Sequence, residues 1–484
     1  MQAQNFLFIL SDQHTRRAIG AMGHPLVKTP NLDRLAQSGT VFINAYCNAP
    51  ICVPSRASLA TGRHAFETGH WDNCKPYCGA TPSWGHRLAA TGKIAASIGK
   101  LHYRSEDDDN GFEPELLSMH VISGVGNLFT ICRDPNPQAR KFRSHILDAG
   151  AGTSTYTAYD AKITAQAVEW LRTYGVQQDK PWSLLVSLVC PHPPWLAPKR
   201  FHDLYSPDEI ELPLAHSVDG RPSHPGLDDF RYFGAVQEGF SDSELHQVTA
   251  AYYGLVSYLD DNIGQLLAAL EASGLAASTR ILYSSDHGES MGHKGMFGKQ
   301  NMFEASVGVP MILAGADAPQ AMKVDTPVQL IDVFPTVLDA TGTPLTDEDR
   351  TLPGTSLFEL VDETQPDRTI LAEQHSAGAK SAVYMVRHGN YKYVRYMEDY
   401  PAQLFDLDAD PDERVDLGSS PDHVSIVAEM ESRLRNILDP ERMDALAKAD
   451  QIERLNAGGG YDQIVNKGVS GYTPAPGETP IFVT

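Results

Sequence analysis

One cysteine in this chain is followed at short range by an arginine, in the segment Cys52-Val-Pro-Ser-Arg56. Pro54 favours the first turn of a helix and Ala57–Ala60 continue it, so the pattern predicts a helix that begins just after Cys52. The start of a helix stabilises negative charge, and Arg56 lies one turn along, where its side chain can return towards Cys52. An activated nucleophile or an anionic group would both benefit from this arrangement, although a lone cysteine at such a turn is more often a small buried hydrophobic residue. A thiol phosphatase is excluded, because its loop needs a longer spacing between cysteine and arginine.

Acidic and imidazole side chains follow two predicted strands. Asp12 and Gln13 come at the end of the apolar run Asn5–Ser11, and Asp286 and His287 come directly after a similar run. Ligands of open α/β sheets gather at the carboxyl ends of the strands, so these distant segments can meet at one edge. Carboxylates with an imidazole form a plausible site for a divalent ion. An Asp-His-Gly segment alone would be weak evidence, but together with a strand-end aspartate it predicts a metal site.

Four further basic or imidazole side chains lie at predicted strand ends or in a Gly-rich loop. Lys100 and His102 follow one strand, His192 follows another, and Lys299 follows the metal segment. Each alone is more often a solvated lysine or a histidine satisfied by its neighbours. The formal charge of −22, from 61 acidic and 39 basic residues, repels anionic substrates unless cations cluster locally. The four together predict stabilisation of an anionic group.

The cysteine segment, which runs on to Thr61-Gly-Arg63, resembles the signature of type I sulfatases. This resemblance implies that a formylglycine-generating enzyme oxidises Cys52 to formylglycine, whose hydrated aldehyde is the nucleophile. It also implies one divalent metal, calcium first, with manganese or magnesium as alternatives. The implied ligands are Asp12, Gln13, Asp286, His287 and the oxygen at position 52. Gln13 stands where many members have a second aspartate, and His287 where many have asparagine.

The resemblance assigns roles to the remaining candidates. The implied catalytic residues are Cys52, Arg56, Lys100, His102, His192 and Lys299. His192, helped by Lys299, would protonate the departing alcohol, and His102 would remove the proton whose loss expels sulfate. Asn73 matches a substrate-facing asparagine, whereas the neighbouring Asp72 and His70 are interpreted as structural.

The forms Asp12-Gln13 and Asp286-His-Gly-Glu289 are similar to the choline sulfatase and phosphonate monoester hydrolase branch. The expected substrate is a small-molecule sulfate monoester, aryl or small alkyl. The alternatives are a phosphonate monoester or phosphodiester hydrolase with the same nucleophile, an enzyme that does both, and a non-catalytic metal-stabilised binding protein. Lys100 and His102 favour sulfate. A zinc site at Cys74-x3-Cys78 is disfavoured, because no partner pair of ligands is evident.

Alternating strands and helices predict an α/β domain over residues 1–365, with a large, mostly parallel sheet sandwiched by helices. The resemblance implies that this domain is alkaline phosphatase-like. Residues 366–456 are predicted to form a small α+β domain with an antiparallel sheet, and 457–484 an extended tail that either lies free or docks on another subunit. The predicted buried strands are Asn5–Ser11, Ile94–Ile98, Trp182–Val189 and Arg280–Ser284. The predicted helices of the first domain include Asn31–Ser38, Ala158–Thr173, Ser243–Ser273 and Pro327–Thr341.

Composition narrows the class of protein further. The acidic excess argues against binding to nucleic acid or to an anionic membrane. No apolar run approaches the length needed to span a bilayer, and the start of the sequence does not resemble a signal peptide. Six cysteines are sparse for 484 residues and imply no disulfide framework. We therefore expect a cytoplasmic protein with reduced thiols, and the resemblance adds a homo-oligomer, a dimer or tetramer.

Overall fold

The computed structural model describes residues 2–362, 365 and 367–482. Its strands are β1 Asn5–Asp12, β2 Gly39–Phe42, β3 Ala45–Tyr46, β4 Ala95–Lys100, β5 Glu115–Met119, β6 Gly150–Ala151, β7 Ser183–Pro191, β8 Leu196–Ala197, β9 Thr279–Ser285, β10 Met311–Gly315, β11 Met322–Val324, β12 Val328–Gln329, β13 Thr369–Gln374, β14 Val383–His388, β15 Tyr391–Tyr396 and β16 Gln403–Asp406. Eight of them form the central sheet, in the order β11-β2-β10-β9-β1-β7-β4-β5. Neighbours are parallel except where β10 meets β9 and β2, which confirms the mostly parallel sheet.

Helices cover both faces of this sheet. They are α1 Pro30–Gln37, α2 Cys52–Thr61, α3 Ala65–Thr68, α4 Trp84–Ala90, α5 Arg140–Leu147, α6 Thr155–Thr173, α7 Lys199–His202, α8 Pro225–Phe233, α9 Asp242–Ala272, α10 Glu304–Val307, α11 Val333–Thr341, α12 Leu357–Asp362, α13 Val424–Ile437, α14 Pro440–Ala457 and α15 Tyr461–Lys467. Helices α6 and α9 pack on β7, whereas α11 packs on β1 and α4 on β4.

Strand β1 shows how the apolar runs become central strands. Successive side chains of a strand point to opposite faces, so a run that is apolar throughout is buried on both sides. Leu7 and Ile9 join the core beneath α6 and α9, while Phe6 and Phe8 join the core on the opposite face. The four predicted buried strands are confirmed, with ends shifted by at most two residues.

One predicted helix is too long at its start. The pattern over Pro327–Thr341 predicted a single helix, but α11 begins only at Val333. Residues 328–329 pair with β3 as a short parallel strand, and 330–332 form one 3-10 turn. The side chain of Asp332 accepts a hydrogen bond from the backbone N–H of Gln329 at 2.8 Å, which caps this turn. Sheet pairing therefore overrides the helical periodicity of the first residues.

The C-terminal region is a four-stranded antiparallel sheet, β13-β14-β15-β16, against which α13 packs. This confirms the predicted α+β unit. The predicted boundary between residues 365 and 366 touches position 366, which lies outside the described residues, so it stays a prediction. Beyond α14 the chain forms the short helix α15 and then runs back towards the central sheet, where residues 469–473 line a cavity.

Two further expectations concern thiols and membranes. All six cysteines are free, as their sparse distribution suggested. Within the described residues, every helix is too short or too polar to cross a bilayer. The cytoplasmic location and the homo-oligomer stay predictions.

Candidate active site

The carboxyl ends of four neighbouring strands carry the candidate residues to one edge of the sheet. Asp12 ends β1 and Lys100 ends β4. His192 follows the last residue of β7, and Asp286 follows the last residue of β9. The strands adjoin in the order β9-β1-β7-β4, so residues that are far apart in the chain meet here, as the sequence predicted.

Cys52 lies at the start of helix α2, against this edge. The sequence predicted that the helix begins after Cys52, but Cys52 is its first residue, because the preceding Ile51 is the last extended one. The side-chain oxygen of Asn73 accepts a hydrogen bond from the N–H of Val53 at 3.0 Å. This bond satisfies one of the free donors of the first helical turn. The whole of α2 is buried, so its N-terminus faces protein groups rather than bulk water.

Four side chains converge closely enough to hold one metal ion. Potential ligand atoms of Asp12, Cys52, Asp286 and His287 all lie within 4.8 Å of one another, and all four residues are buried. Sγ of Cys52 lies 3.2 Å from Nε2 of His287 and 3.9 Å from a carboxylate oxygen of Asp12. Two carboxylates and an imidazole at these distances fit a hard or borderline divalent ion.

The guanidinium of Arg56 binds the carboxylates rather than Cys52. It donates to Asp286 at 2.8 Å and to Asp12 at 3.2 Å, and also to the carbonyl of Lys100 at 2.6 Å. A further bond reaches the hydroxyl of Ser187 at 2.9 Å. Arg56 thus returns to the cluster that contains Cys52, but its hydrogen bonds go to the buried carboxylates, which attract a guanidinium more strongly than a thiol does.

The pKa values of the two carboxylates, Asp12 and Asp286, are shifted in opposite directions. Burial alone would raise the pKa of Asp12, but Lys100 and other nearby cations hold that pKa well below its usual value. The ammonium of Lys100 is fully buried and lies 2.5 Å from Asp12. Burial, followed by repulsion from Asp12, raises the pKa of Asp286 to about 6. Asp12 therefore stays ionised to lower pH than Asp286, and a bound cation would relieve the repulsion between the pair when both are ionised.

Lys299 reaches the nucleophile position through a chain of hydrogen bonds. Its ammonium lies 3.2 Å from Sγ of Cys52 and donates to the amide oxygen of Gln13 at 2.7 Å. The amide nitrogen of Gln13 donates to Glu289, whose other oxygen accepts from the backbone N–H groups of Met291 at 2.8 Å and of Gly298 at 2.7 Å. Gln13, which the sequence assigned to the metal, therefore has its amide oxygen bound to Lys299.

The two candidate histidines are buried beside this cluster. Nδ1 of His192 lies 2.7 Å from the carbonyl of Pro193, to which it donates, and Nε2 hydrogen-bonds to no residue in the part of the chain that the structure describes. Neither ring nitrogen of His102 hydrogen-bonds to a residue that the structure describes. Burial, reinforced by Lys100, lowers the pKa of His102 well below its ordinary value. Burial and the nearby Lys299 likewise lower the pKa of His192, so both imidazoles are neutral at neutral pH.

Sequence reasoning gave no role to two buried carboxylates that hold the site in place. Glu289 accepts hydrogen bonds from backbone N–H groups at both ends of the loop that precedes Lys299. Asp160 on α6 accepts hydrogen bonds from the N–H groups of Val189 at 2.7 Å and of Cys190 at 2.8 Å, just before His192. The acidic position in Asp-His-Gly-Glu289 was a visible signal, but Asp160 stands in an ordinary amphipathic helix and gives none.

The segment around Asn73 is anchored by the C-terminal helix α14. Asp72 is fully buried and accepts two hydrogen bonds from Arg454, both 2.8 Å long, and one from Gln451. This agrees with the structural interpretation of Asp72. Cys74 lies near the hydroxyl of Thr130 at 3.6 Å. Among the described residues, Cys74 and Cys78 join no cluster of metal ligands.

Comparison with known families gives a match over most of the chain. The family model described as Sulfatase matches residues 4–343. A second model, described as N-sulphoglucosamine sulphohydrolase, C-terminal, matches residues 292–439. Both the large sheet and the antiparallel C-terminal sheet therefore lie within matched regions.

Curated relatives are similar along nearly the whole chain. Choline-sulfatase of Rhizobium meliloti (strain 1021) is 30% identical over 468 residues, which cover 93% of this chain and 90% of that protein. Arylsulfatase K of Homo sapiens is 29% identical over 471 residues, which cover 92% of this chain and 84% of that protein.

Solved structures share the fold at lower identity. The phosphonate monoester hydrolase of Agrobacterium radiobacter superposes with a TM-score of 0.71 at 21% identity, covering 92% of this chain and 96% of that one. A putative sulfatase from Bacteroides thetaiotaomicron VPI-5482 gives 0.73 at 22% identity, covering 92% and 94%. These likenesses confirm the alkaline phosphatase-like architecture that the sequence implied.

Proposed function

Since this chain belongs to the sulfatase family and is a sulfuric ester hydrolase, we propose that it hydrolyses small-molecule sulfate monoesters through a formylglycine made from Cys52. One observation carries the proposal: Sγ of Cys52 lies between the buried ligand cluster and the ammonium of Lys299, on the wall of a cavity. A nucleophile at this position would meet a metal ligand set on one side and a cation on the other.

The side chains present fit both implied groups. Asp12, Asp286 and His287 would hold a divalent ion together with the oxygen at position 52, with calcium first and manganese or magnesium as alternatives. With both in place, formylglycine supplies an attacking hydroxyl and the ion lowers the pKa of that hydroxyl. Maturation by a formylglycine-generating enzyme is part of the proposal.

Three cations would act in the site, two of them on the carboxylate ligands and one on the reacting group. Arg56 and Lys100 neutralise the carboxylates, which fixes the positions of these ligands before the substrate arrives. Lys299 faces position 52 directly and would stabilise negative charge on the transferring sulfate. Because Lys299 lies in a largely buried site, its interaction with the substrate would be stronger than it would be in water.

The two histidines would move the protons. His192 is held by its bond to the carbonyl of Pro193, so Nε2 is the atom that can carry a proton to the departing alcohol. An anionic ester beside it would favour the protonated ring, which the buried cations otherwise disfavour. His102 is neutral and has no partner among the described residues, so it can accept the proton whose loss expels sulfate. Asn73 would contact the substrate through its free amide nitrogen.

A phosphonate monoester or phosphodiester hydrolase is the second candidate, with the same nucleophile. The likeness to a phosphonate monoester hydrolase fold favours it. The presence of Lys100 and His102 favours a sulfate ester instead, because the phosphonate hydrolase branch that the sequence resembles tends to have uncharged residues in place of this pair.

The test compares turnover of 4-nitrophenyl sulfate and an aryl phosphonate monoester, with calcium or manganese present. The protein is produced with a formylglycine-generating enzyme, and peptide mass measures conversion of Cys52. We expect sulfate turnover to exceed phosphonate turnover and to disappear in Cys52→Ala. Dominant phosphonate turnover would support the second candidate, and no turnover by fully converted, metal-loaded protein would contradict the proposal.

A further inference from the structure

A cavity of about 150 Å³ borders Cys52 and differs in chemistry from one part of its wall to another. The candidate catalytic residues His102, His192 and Lys299 supply one part of the lining. The other part is mainly apolar and includes Phe142, Phe230, Phe233, Val236, Phe297 and Tyr472. A sulfate group held at Cys52 would therefore direct its alcohol towards aromatic and aliphatic side chains.

The charge of the lining restricts which alcohol can bind. Among the described residues, the cavity wall contains no aspartate, glutamate or arginine. A cationic alcohol would find no carboxylate in this lining. An anionic alcohol would find no cation beyond Lys299, which the sulfate itself engages. A neutral apolar group gains about 25 cal/mol for each Å² removed from water and loses no strong hydration.

The size of the cavity is consistent with a single ring. A cavity of roughly 150 Å³ lined by apolar side chains accommodates benzene, and because this cavity must also hold the sulfate, the enclosed space left for the alcohol is no larger than one ring. Aromatic side chains add favourable edge and face contacts with an aromatic ligand. A long polysaccharide would have most of its length outside this space.

The C-terminal segment 469–473 forms part of the apolar wall. The hydroxyl of Tyr156 donates to the carbonyl of Thr473 at 2.5 Å. The ring of Tyr472 lies 5.3 Å from that of Tyr156 and 5.7 Å from that of His145. Tyr156 in turn lies 5.7 Å from the ring of His192. The segment is thus connected through a single aromatic residue to the candidate proton donor.

The segment 469–473 packs against other parts of the same chain. Ile464 and Val469 pack in a cluster with Ile51, which immediately precedes the nucleophile position, and with Phe233. Gly471 has a φ of +78°, and a Cβ there would come within 2.8 Å of the side chain of Lys141. A glycine is therefore required where the chain turns against α5 to complete the wall.

We propose that residues 469–473 form a specificity wall that selects sulfate esters of neutral, single-ring aromatic alcohols. This inference rests on the proposed sulfate ester hydrolysis. Tyr472 supplies the aromatic contact, and the apolar lining disfavours charged alcohols even though a curated relative carries the name choline-sulfatase.

The charge preference is tested with two substrates of the same shape, choline sulfate and its neutral isostere 3,3-dimethylbutyl sulfate. The converted, metal-loaded protein should show a KM about tenfold lower for the neutral ester. A lower KM for choline sulfate would overturn the proposal, since it would mean that the aromatic wall binds a quaternary ammonium.

The wall is tested with Tyr472→Ala, measured on phenyl sulfate and methyl sulfate. We expect kcat/KM for phenyl sulfate to fall about tenfold, mainly through KM, with less than a twofold change for methyl sulfate. Tyr472→Phe keeps the ring and should behave as the parent protein. Ile481→Ala changes an exposed residue of the same tail and serves as the matched control. Equal losses on both substrates would contradict a specificity role.

A failure of the proposed function can be separated from a failure of this inference. If converted protein turns over no sulfate ester, the proposed function fails. Calorimetric titration with phenol and with choline then measures, without turnover, whether the cavity prefers a neutral aromatic or a cationic alcohol. Binding of phenol that weakens in Tyr472→Ala supports the wall, and tighter binding of choline overturns it.

Discussion

The amide oxygen of Gln13 accepts a hydrogen bond from the ammonium of Lys299 at 2.7 Å, and that ammonium lies 3.2 Å from Sγ of Cys52. Gln13 has a φ of +68°, in the left-handed region that is unusual for a residue other than glycine. Such backbone strain is tolerated where surrounding contacts fix it, as Glu289 does here by binding the amide nitrogen. The sequence assigned Gln13 to the metal, but in the structure its side chain orients the ammonium of Lys299.

This arrangement predicts different effects on metal binding and on turnover for Gln13→Ala. We expect calcium affinity to change less than about threefold, while kcat falls roughly ten- to a hundredfold because Lys299 loses its orienting partner. Calcium affinity is measured by equilibrium dialysis and turnover with 4-nitrophenyl sulfate. A loss of calcium affinity as large as that caused by Asp12→Asn would show that Gln13 is a ligand after all.

Glu289→Gln should disturb the same lysine from a greater distance. One carboxylate oxygen accepts from two backbone N–H groups of the 290–299 loop and the other accepts from the amide nitrogen of Gln13, so the amide nitrogen of a glutamine would face a donor at one of these positions. We expect kcat to fall about tenfold with calcium affinity preserved. The exposed Glu429→Gln provides the control. An unchanged kcat in Glu289→Gln would contradict the proposal that Glu289 positions Lys299.

Removal of the metal should destabilise the protein through its paired carboxylates. Asp12 and Asp286 share one buried site, and repulsion contributes to the raised pKa of Asp286. A bound divalent ion stabilises the folded state by an amount that grows with the logarithm of its concentration relative to Kd and reaches about 2.7 kcal/mol at a hundredfold excess. Thermal unfolding should therefore shift upwards when calcium is restored after EDTA treatment. Asp286→Asn should reduce that shift, and a full shift in the variant would contradict the proposed ligand set.

Replacing Arg56 should lower the free energy of unfolding more in the metal-free protein than in the calcium-loaded one. Breaking a buried ion pair by removing one partner costs about 3–5 kcal/mol, because the remaining charge is left uncompensated. We expect Arg56→Met to show a loss of this size in EDTA and a smaller one with calcium. Urea unfolding in both conditions measures the difference, and equal losses would mean that Arg56 acts mainly through packing.

The buried pair of Asp72 and Arg454 predicts a specific pH dependence of stability. Burial alone would raise the pKa of Asp72, but the hydrogen bonds from Arg454 lower it below the ordinary value. A carboxylate with a lowered folded-state pKa contributes stability that is present above about pH 4 and is lost as the pH falls through the folded pKa. The destabilisation caused by Asp72→Asn should therefore be full at pH 7 and shrink below pH 4. The exposed Glu429→Gln should cost less than about 1 kcal/mol at either pH.

The sequence by itself determined the fold class, the strands that end at the site and the identity of most candidate residues. Buried parallel strands such as Asn5–Ser11 are visible because they must be apolar on both faces, and their carboxyl ends must share one edge. The cysteine segment is equally local, since Cys52 and Arg56 are joined by one helical turn. These features follow from short stretches of chain and from the fixed geometry of strands and helices.

Only the tertiary structure decided which partners these residues have. Arg56 binds the buried carboxylates because Asp286, which follows β9, lies beside it, and Gln13 binds Lys299 across 286 positions of sequence. The segment 469–473 reaches the cavity because Gly471 turns against α5 and Thr473 bonds to Tyr156. Periodicity and spacing carry no information on such contacts, since each depends on how distant elements pack.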